Sequence, residues 1–277
     1  KTQSSSMNMN SHDTLQSIPA LCRGSRQLLH DWLYNKPTRS LSFCIPMIIL
    51  GCGVYGFTMG IWQGWLMAAY VAIKFPLVIF ATLILNGLIN GMLAMALGSG
   101  INFRQSFQFL LAGFALMSLI LLSLSPIALF IVYHAPDPTA SNASQSHSII
   151  LLSHTLMIAY AGIISHRSLL GQVRDFATSP AHGNRTFFAW LVGNLFVGAQ
   201  VSWIMRPFFG TPGLEVQFLR DYPMNGSFYD TIWNSFSTGS YNGPAEETYH
   251  NFAVPVRVAM VKEIGAFAKA YAGTDKR

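Results

Sequence analysis

Apolar residues run along this chain in long blocks, without the alternation of half-buried strands. Five windows reach the length that a hydrocarbon core of about 30 Å requires of a helix. They are Phe43–Trp62, Phe75–Gly98, Phe107–Tyr133, Ser148–Ile164 and Phe187–Met205, the fourth being the shortest. The pattern predicts an all-α polytopic membrane bundle of about five transmembrane helices. Between the first two windows, Gln63–Lys74 is apolar but interrupted. The pattern leaves open whether this is a short helix at the membrane interface, with Trp62, Trp65 and Tyr70 in the aromatic belt. Ahead of the first window, Asp13 to Tyr34 sets Leu15, Ile18, Leu21, Leu28, Trp32 and Leu33 at roughly helical spacing. This is an amphipathic N-terminal helix, lying on the inner face or packed on a partner. The first apolar stretch comes late and has span length, so it reads as a span and not as a cleavable leader. The organisation expected is residues 1–42 as the amphipathic segment, 43–205 as the membrane domain and 206–277 as an extramembrane tail.

Composition strengthens this picture. Only 10% of the 277 residues are charged, against about 25% in soluble domains. No carboxylate occurs between Asp31 and Asp137, which suits a chain whose ionised groups would be costly in hydrocarbon. Basic residues mark alternate connections. Arg23, Arg26, Lys36 and Arg39 precede the first span, Arg104 lies in the second loop, and Arg167, Arg174 and Arg185 lie around the fourth. The third loop, His134 to His147, has Asp137 and no Lys or Arg. By the positive-inside rule the N-terminus is cytoplasmic and the C-terminus outside, as for a bacterial inner-membrane protein. The net charge of +6 is then topology and lipid headgroups. It gives no reason to invoke nucleic acid.

Gly51-Cys-Gly53-Val-Tyr-Gly56 matches the dinucleotide-binding fingerprint letter for letter. Such a site needs an acidic residue about twenty positions on, and Val71 to Pro76 contains none. Small residues instead recur at every fourth position, as Cys52, Gly56, Gly60 and Gly64, and the second span repeats the device with Gly87 and Gly91. Gly56, Gly60, Gly87 and Gly91 are therefore expected at close helix contacts.

Candidate chemistry is sparse. Asn86 and Asn90 share a face of the second span, within hydrogen-bonding reach of Asn194 and Gln200 on the fifth. Ser118, Ser123, Ser125, Ser153, Thr155 and Ser202 are the other intramembrane polar groups noted. His154 is the one histidine deep in a span. It is a helix-packing donor or a ligand for haem or a chlorophyll-type pigment. Cys22, Cys44 and Cys52 make no disulfide framework, and no metal site is expected. Asn142-Ala-Ser144 is a glycosylation triplet in the loop placed outside. The tail mixes turn formers with aromatics such as Phe208, Phe209, Phe218, Trp233 and Phe236, too aromatic for disorder. It is expected to be ordered, with Val256–Ala272 as a closing helix and Trp233 and Phe236 at a partner interface.

Five spans, an inward N-terminus and glycine-rich early spans resemble the YIP1-type membrane proteins. The stretch Val192 to Gly210 (VGNLFVGAQVSWIMRPFFG) resembles a segment of bacterial multispan proteins grouped near that family. The resemblance covers the spans and not the tails. It implies a protein that acts through partners, and it carries over no site residues. The reading that follows is a non-catalytic accessory or scaffold subunit of a membrane complex, its partners being other membrane subunits and bound lipid. The alternatives are a small transporter or channel on the polar face of spans two and five, and a haem- or pigment-binding subunit.

Overall fold

A computed structural model describes residues 11–23, 25–32, 37–140, 143–210, 215–220 and 223–224. It is helical, with no strand among the described residues. Two short helices, α1 (Ser11–Cys22) and α2 (Arg26–His30), precede five long ones: α3 (Pro37–Gly60), α4 (Trp65–Ala96), α5 (Phe103–Tyr133), α6 (Ala143–Phe176) and α7 (Pro180–Ile204). These five are long and apolar enough to cross a membrane, and the protein is an integral multi-pass membrane protein in architecture. Each long helix runs antiparallel to the one before it, since Gly60 lies against Met67, Gly91 against Phe103, Gly113 against Leu169 and Gly183 against Arg174.

One open question is settled and two sequence expectations are corrected. Gln63–Lys74 is not a separate interfacial helix. A 3-10 turn, Ile61–Gln63, leads to Gly64 at φ +122°, a backbone region that favours glycine. The helix restarts at Trp65 and runs unbroken for 32 residues. Lys74 breaks the apolar pattern but is fully buried within that helix. The fourth window is not the shortest element, because α6 extends for 34 residues, about 51 Å at 1.5 Å per residue. Beyond Ile164 the helix becomes amphipathic. Leu169, Leu170 and Val173 bury one face, while Arg167 and Gly171 are exposed on the other. Hydropathy loses such a segment although the helix continues. The N-terminal segment, finally, is two helices and not one. Ser25 breaks it as the N-cap of α2, accepting from the Leu28 N–H.

Most of the core is one apolar cluster shared by α3, α4 and α5, with Leu21 and Trp32 from the N-terminal segment added to it. Trp32 lies tilted against Phe43, with ring centroids 5.6 Å apart, and its carbonyl accepts from Gln108 Nε2 at 3.3 Å. A second cluster closes the Arg-rich end of the bundle, where Ala94, Ile101, Phe109, Leu170, Val173, Phe187 and Trp190 meet. There α5 starts with a capping box, in which Asn102 and Gln105 each satisfy the other's backbone N–H. The opposite end carries the α3–α4 turn, the α5–α6 loop and the residues following α7. Cover is unequal. Half of the apolar window of α3 and of α4 is buried, against 22% for α6 and 17% for α7.

Candidate functional site

The predicted glycines take up two kinds of contact. Gly56 and Gly60 face the backbone of α4. A Cβ at either would stand 2.6 Å from a carbonyl oxygen, that of Val71 or Met67. Helices approach this closely only where no side chain intervenes. Gly87 and Gly91 do not meet that glycine stripe. They are notches on α4 that receive the rings of Phe107 and Phe103 from α5. Gly64 leaves the stripe altogether, since it lies beyond the end of α3 and has nothing within 4 Å of a built Cβ. Gly51, which the stripe did not include, packs against the Ser118 carbonyl. Its neighbour Cys52 sits 3.1 Å from Ser118 Oγ, a packing contact.

Asn86, Asn90 and Asn194 come together between α4 and α7. Asn90 Nδ2 donates to Asn194 Oδ1 at 3.2 Å, and the Asn90 carbonyl accepts from Trp190 Nε1 at 2.8 Å. Gln200 lies two turns of α7 further along and is half-buried. The polar surface is longer than the two asparagines suggested. Lys74, Thr82, Asn86 and Asn90 stand on one i, i+4 ridge of α4, interrupted by Val78 alone, and all five are buried. The signal that reveals this ridge is the four-residue period of polar positions. By sequence Lys74 reads as the single basic residue of the first loop, at the membrane edge, whereas it lies buried inside α4, and threonine such as Thr82 is unremarkable in a span. Along the ridge, both polar atoms of Asn86, Thr82 Oγ1 and Asn90 Oδ1 have no hydrogen-bond partner in the structure.

His154 is fully buried near the end of the bundle that holds the α3–α4 turn. Its Nδ1 lies 3.1 Å from the Tyr55 hydroxyl, which also donates to the His154 carbonyl at 3.4 Å. Tyr55 packs edge-on to the imidazole with centroids 5.4 Å apart, and Phe209 lies at the same distance. Nε2 has no partner in the structure. Among the described residues, no three His, Cys, Asp or Glu side chains group as metal ligands would.

Residues following α7 close this end. Lys74 Nζ donates to the Pro207 carbonyl at 2.9 Å and lies 4.9 Å from the centroid of the Phe218 ring. Phe218 meets Tyr70 edge-on at 5.3 Å. Gly210, at φ +68°, passes over the Gln63 side chain. Phe208, Phe209 and Val216 join the main core. The start of the tail is thus part of the bundle. Trp233, Phe236 and Val256–Ala272 lie outside the described residues, as does Asn142.

Outside the membrane, Asp137 accepts from both the N–H and the hydroxyl of Thr139. These bonds hold its carboxyl below the usual carboxylate range. Partial burial pushes the Cys22 thiol up, so it is not an activated nucleophile. Comparison with protein-family models, with curated proteins and with solved structures finds no match.

Proposed function

We propose that this protein is a non-catalytic accessory subunit of a larger membrane complex, held to its partners through α6 and α7. One observation carries the reading. The bundle buries half of the apolar windows of α3 and α4 but only 22% of that of α6 and 17% of that of α7. The uncovered faces carry large apolar residues, Ile149, Leu156 and Tyr160 on α6 and Val192, Leu195 and Phe196 on α7. A ridge of large apolar side chains at helical spacing suits another transmembrane helix. The partner is a membrane protein, with lipid filling the remainder of the face. In this reading the membrane is the bacterial inner membrane and the N-terminus is cytoplasmic, the latter supported by the Arg-rich end. The likeness to YIP1-type proteins, which work through partners, accords with this role.

Benzoyl-phenylalanine placed at Leu156 or Phe196 tests it in native membranes. Irradiation is expected to join each variant to one defined polypeptide, and the same residue at Leu50, on the far side of the bundle, to give no such adduct. Adducts to lipid alone at both α6 and α7 positions would overturn the proposal.

A further inference from the structure

The ridge on α4 has polar groups that the accessory role does not use. Thr82, Asn86 and Asn90 are at most 3% exposed, yet four of their side-chain atoms have no partner in the structure. In hydrocarbon such groups are satisfied internally or by a polar guest. The set mixes donor and acceptor character: the Asn86 amide N–H, the Thr82 hydroxyl, and the amide oxygens of Asn86 and Asn90. It carries no net charge.

The opposite wall leaves room. Gly193 and Gly198 of α7 face the ridge. A Cβ built at Gly193 would stand 3.7 Å from Oδ1 of both Asn86 and Asn90, and one at Gly198 would stand 3.7 Å from the Thr82 methyl carbon. The glycines therefore leave a methyl-sized gap beside three of the unpartnered groups. Small hydrogen-bonding molecules are suited to it, since water needs two to four polar partners. The wall is also the helix with the least cover, because only 17% of the apolar window of α7 is buried.

The ridge is longer than a local site. From Lys74 to Asn90 is sixteen residues, about 24 Å along a helix, most of a hydrocarbon core of about 30 Å. One end is closed by Lys74 with the Pro207 carbonyl and the Phe218 ring. The other is closed by the Asn90–Asn194 bond and by Trp190. A cation has no carboxylate in either wall to balance it, because neither α4 nor α7 contains an Asp or Glu. From this geometry we propose that the α4–α7 seam is a path for water-sized uncharged hydrogen-bonding solutes, gated by Phe218 of the tail at one end and by the Asn90–Asn194 pair at the other. The proposal goes beyond the accessory role and does not rest on it.

Proteoliposomes of the full chain, with folding and insertion checked by circular dichroism and flotation, test it by stopped-flow light scattering. Water and glycerol are the probes, and potassium flux is read by a fluorescent dye. Vesicles with the wild-type protein are expected to shrink or swell at least twofold faster than protein-free vesicles in the water arm. Phe218→Ala is expected to raise the rate further. Gly193→Ala, whose new methyl fits at ordinary contact distance, and Thr82→Val, which keeps the shape and removes the hydroxyl, are both expected to lower it. A response to water without glycerol is expected of a water-sized path, and a response to both would overturn that size. Protein-free rates in the wild type and in Phe218→Ala alike would overturn the proposal. So would potassium flux above the protein-free level, or unchanged rates in both Gly193→Ala and Thr82→Val.

Discussion

Asn90 fixes α7 against α4 by two routes, its amide to Asn194 and its carbonyl to Trp190. An amide pair between helices in lipid is worth less than the apolar surroundings suggest. The unfolded-in-membrane state also finds partners, and measured values average about 0.6 kcal/mol, reaching about 1.7. A double-mutant cycle with Asn90→Ala and Asn194→Ala, read by denaturant unfolding in mixed micelles, is expected to give a coupling of about 0.6–1.7 kcal/mol. A coupling of zero would mean that the two side chains do not bond. Asn90→Ala keeps the backbone carbonyl, so the Trp190 contact survives in every corner of the cycle and cancels.

The two glycine pairs differ as elements of packing, although their spacing in the sequence is alike. At Gly60 a new Cβ meets the backbone of Met67 and Ala68, at 2.6 to 2.8 Å. Backbone of a packed helix cannot step aside locally. At Gly91 it meets the ring of Phe103, which is 41% exposed and turns about its own side-chain bonds. Gly60→Ala and Gly91→Ala are each expected to destabilise by about 1–3 kcal/mol, the usual cost of overpacking. Phe103→Leu is expected to recover at least half of the loss at Gly91, and Met67→Ala to recover none at Gly60. Melting temperatures in detergent decide it. Rescue at Gly60 would show that the α3–α4 contact is made by side chains and not by backbone.

For the whole molecule the decisive quantity is which end faces the cytoplasm. Arg104, Arg167, Arg174 and Arg185 all belong to the end formed by the α4–α5 and α6–α7 connections, whereas the opposite end presents Asp137 and Arg206. In the proposed topology the first end faces the cytoplasm, the side the positive-inside rule favours for the Arg-rich end. Cys22 is exposed and near that end, while Cys44 and Cys52 are buried, so a Cys22→Ser background leaves no exposed native thiol among these three. In that background, Thr139→Cys is expected to react with an impermeant maleimide in intact cells, and Ala181→Cys only after lysis. The opposite labelling pattern would invert the topology and place the tail in the cytoplasm.

The number of spans, their approximate places and the charge difference between the ends follow from the sequence alone. Each depends on a property summed over a window of side chains, and lipid imposes that sum whatever the neighbours do. The shared face of Asn86 and Asn90 is equally local, a consequence of the 3.6-residue turn. What the sequence left open depends on partners distant in the chain. Lys74 reads as a helix-ending interruption until Pro207 and Phe218 cover it from more than 130 positions away. Gly60 and Gly91 read alike until one is set against backbone and the other against a ring. The orphaned amide of Asn86 becomes visible only when α7 sets Gly193 beside it and gives its one facing asparagine, Asn194, to Asn90. Periodicity reports which residues share a face, but what that face meets is decided by tertiary packing.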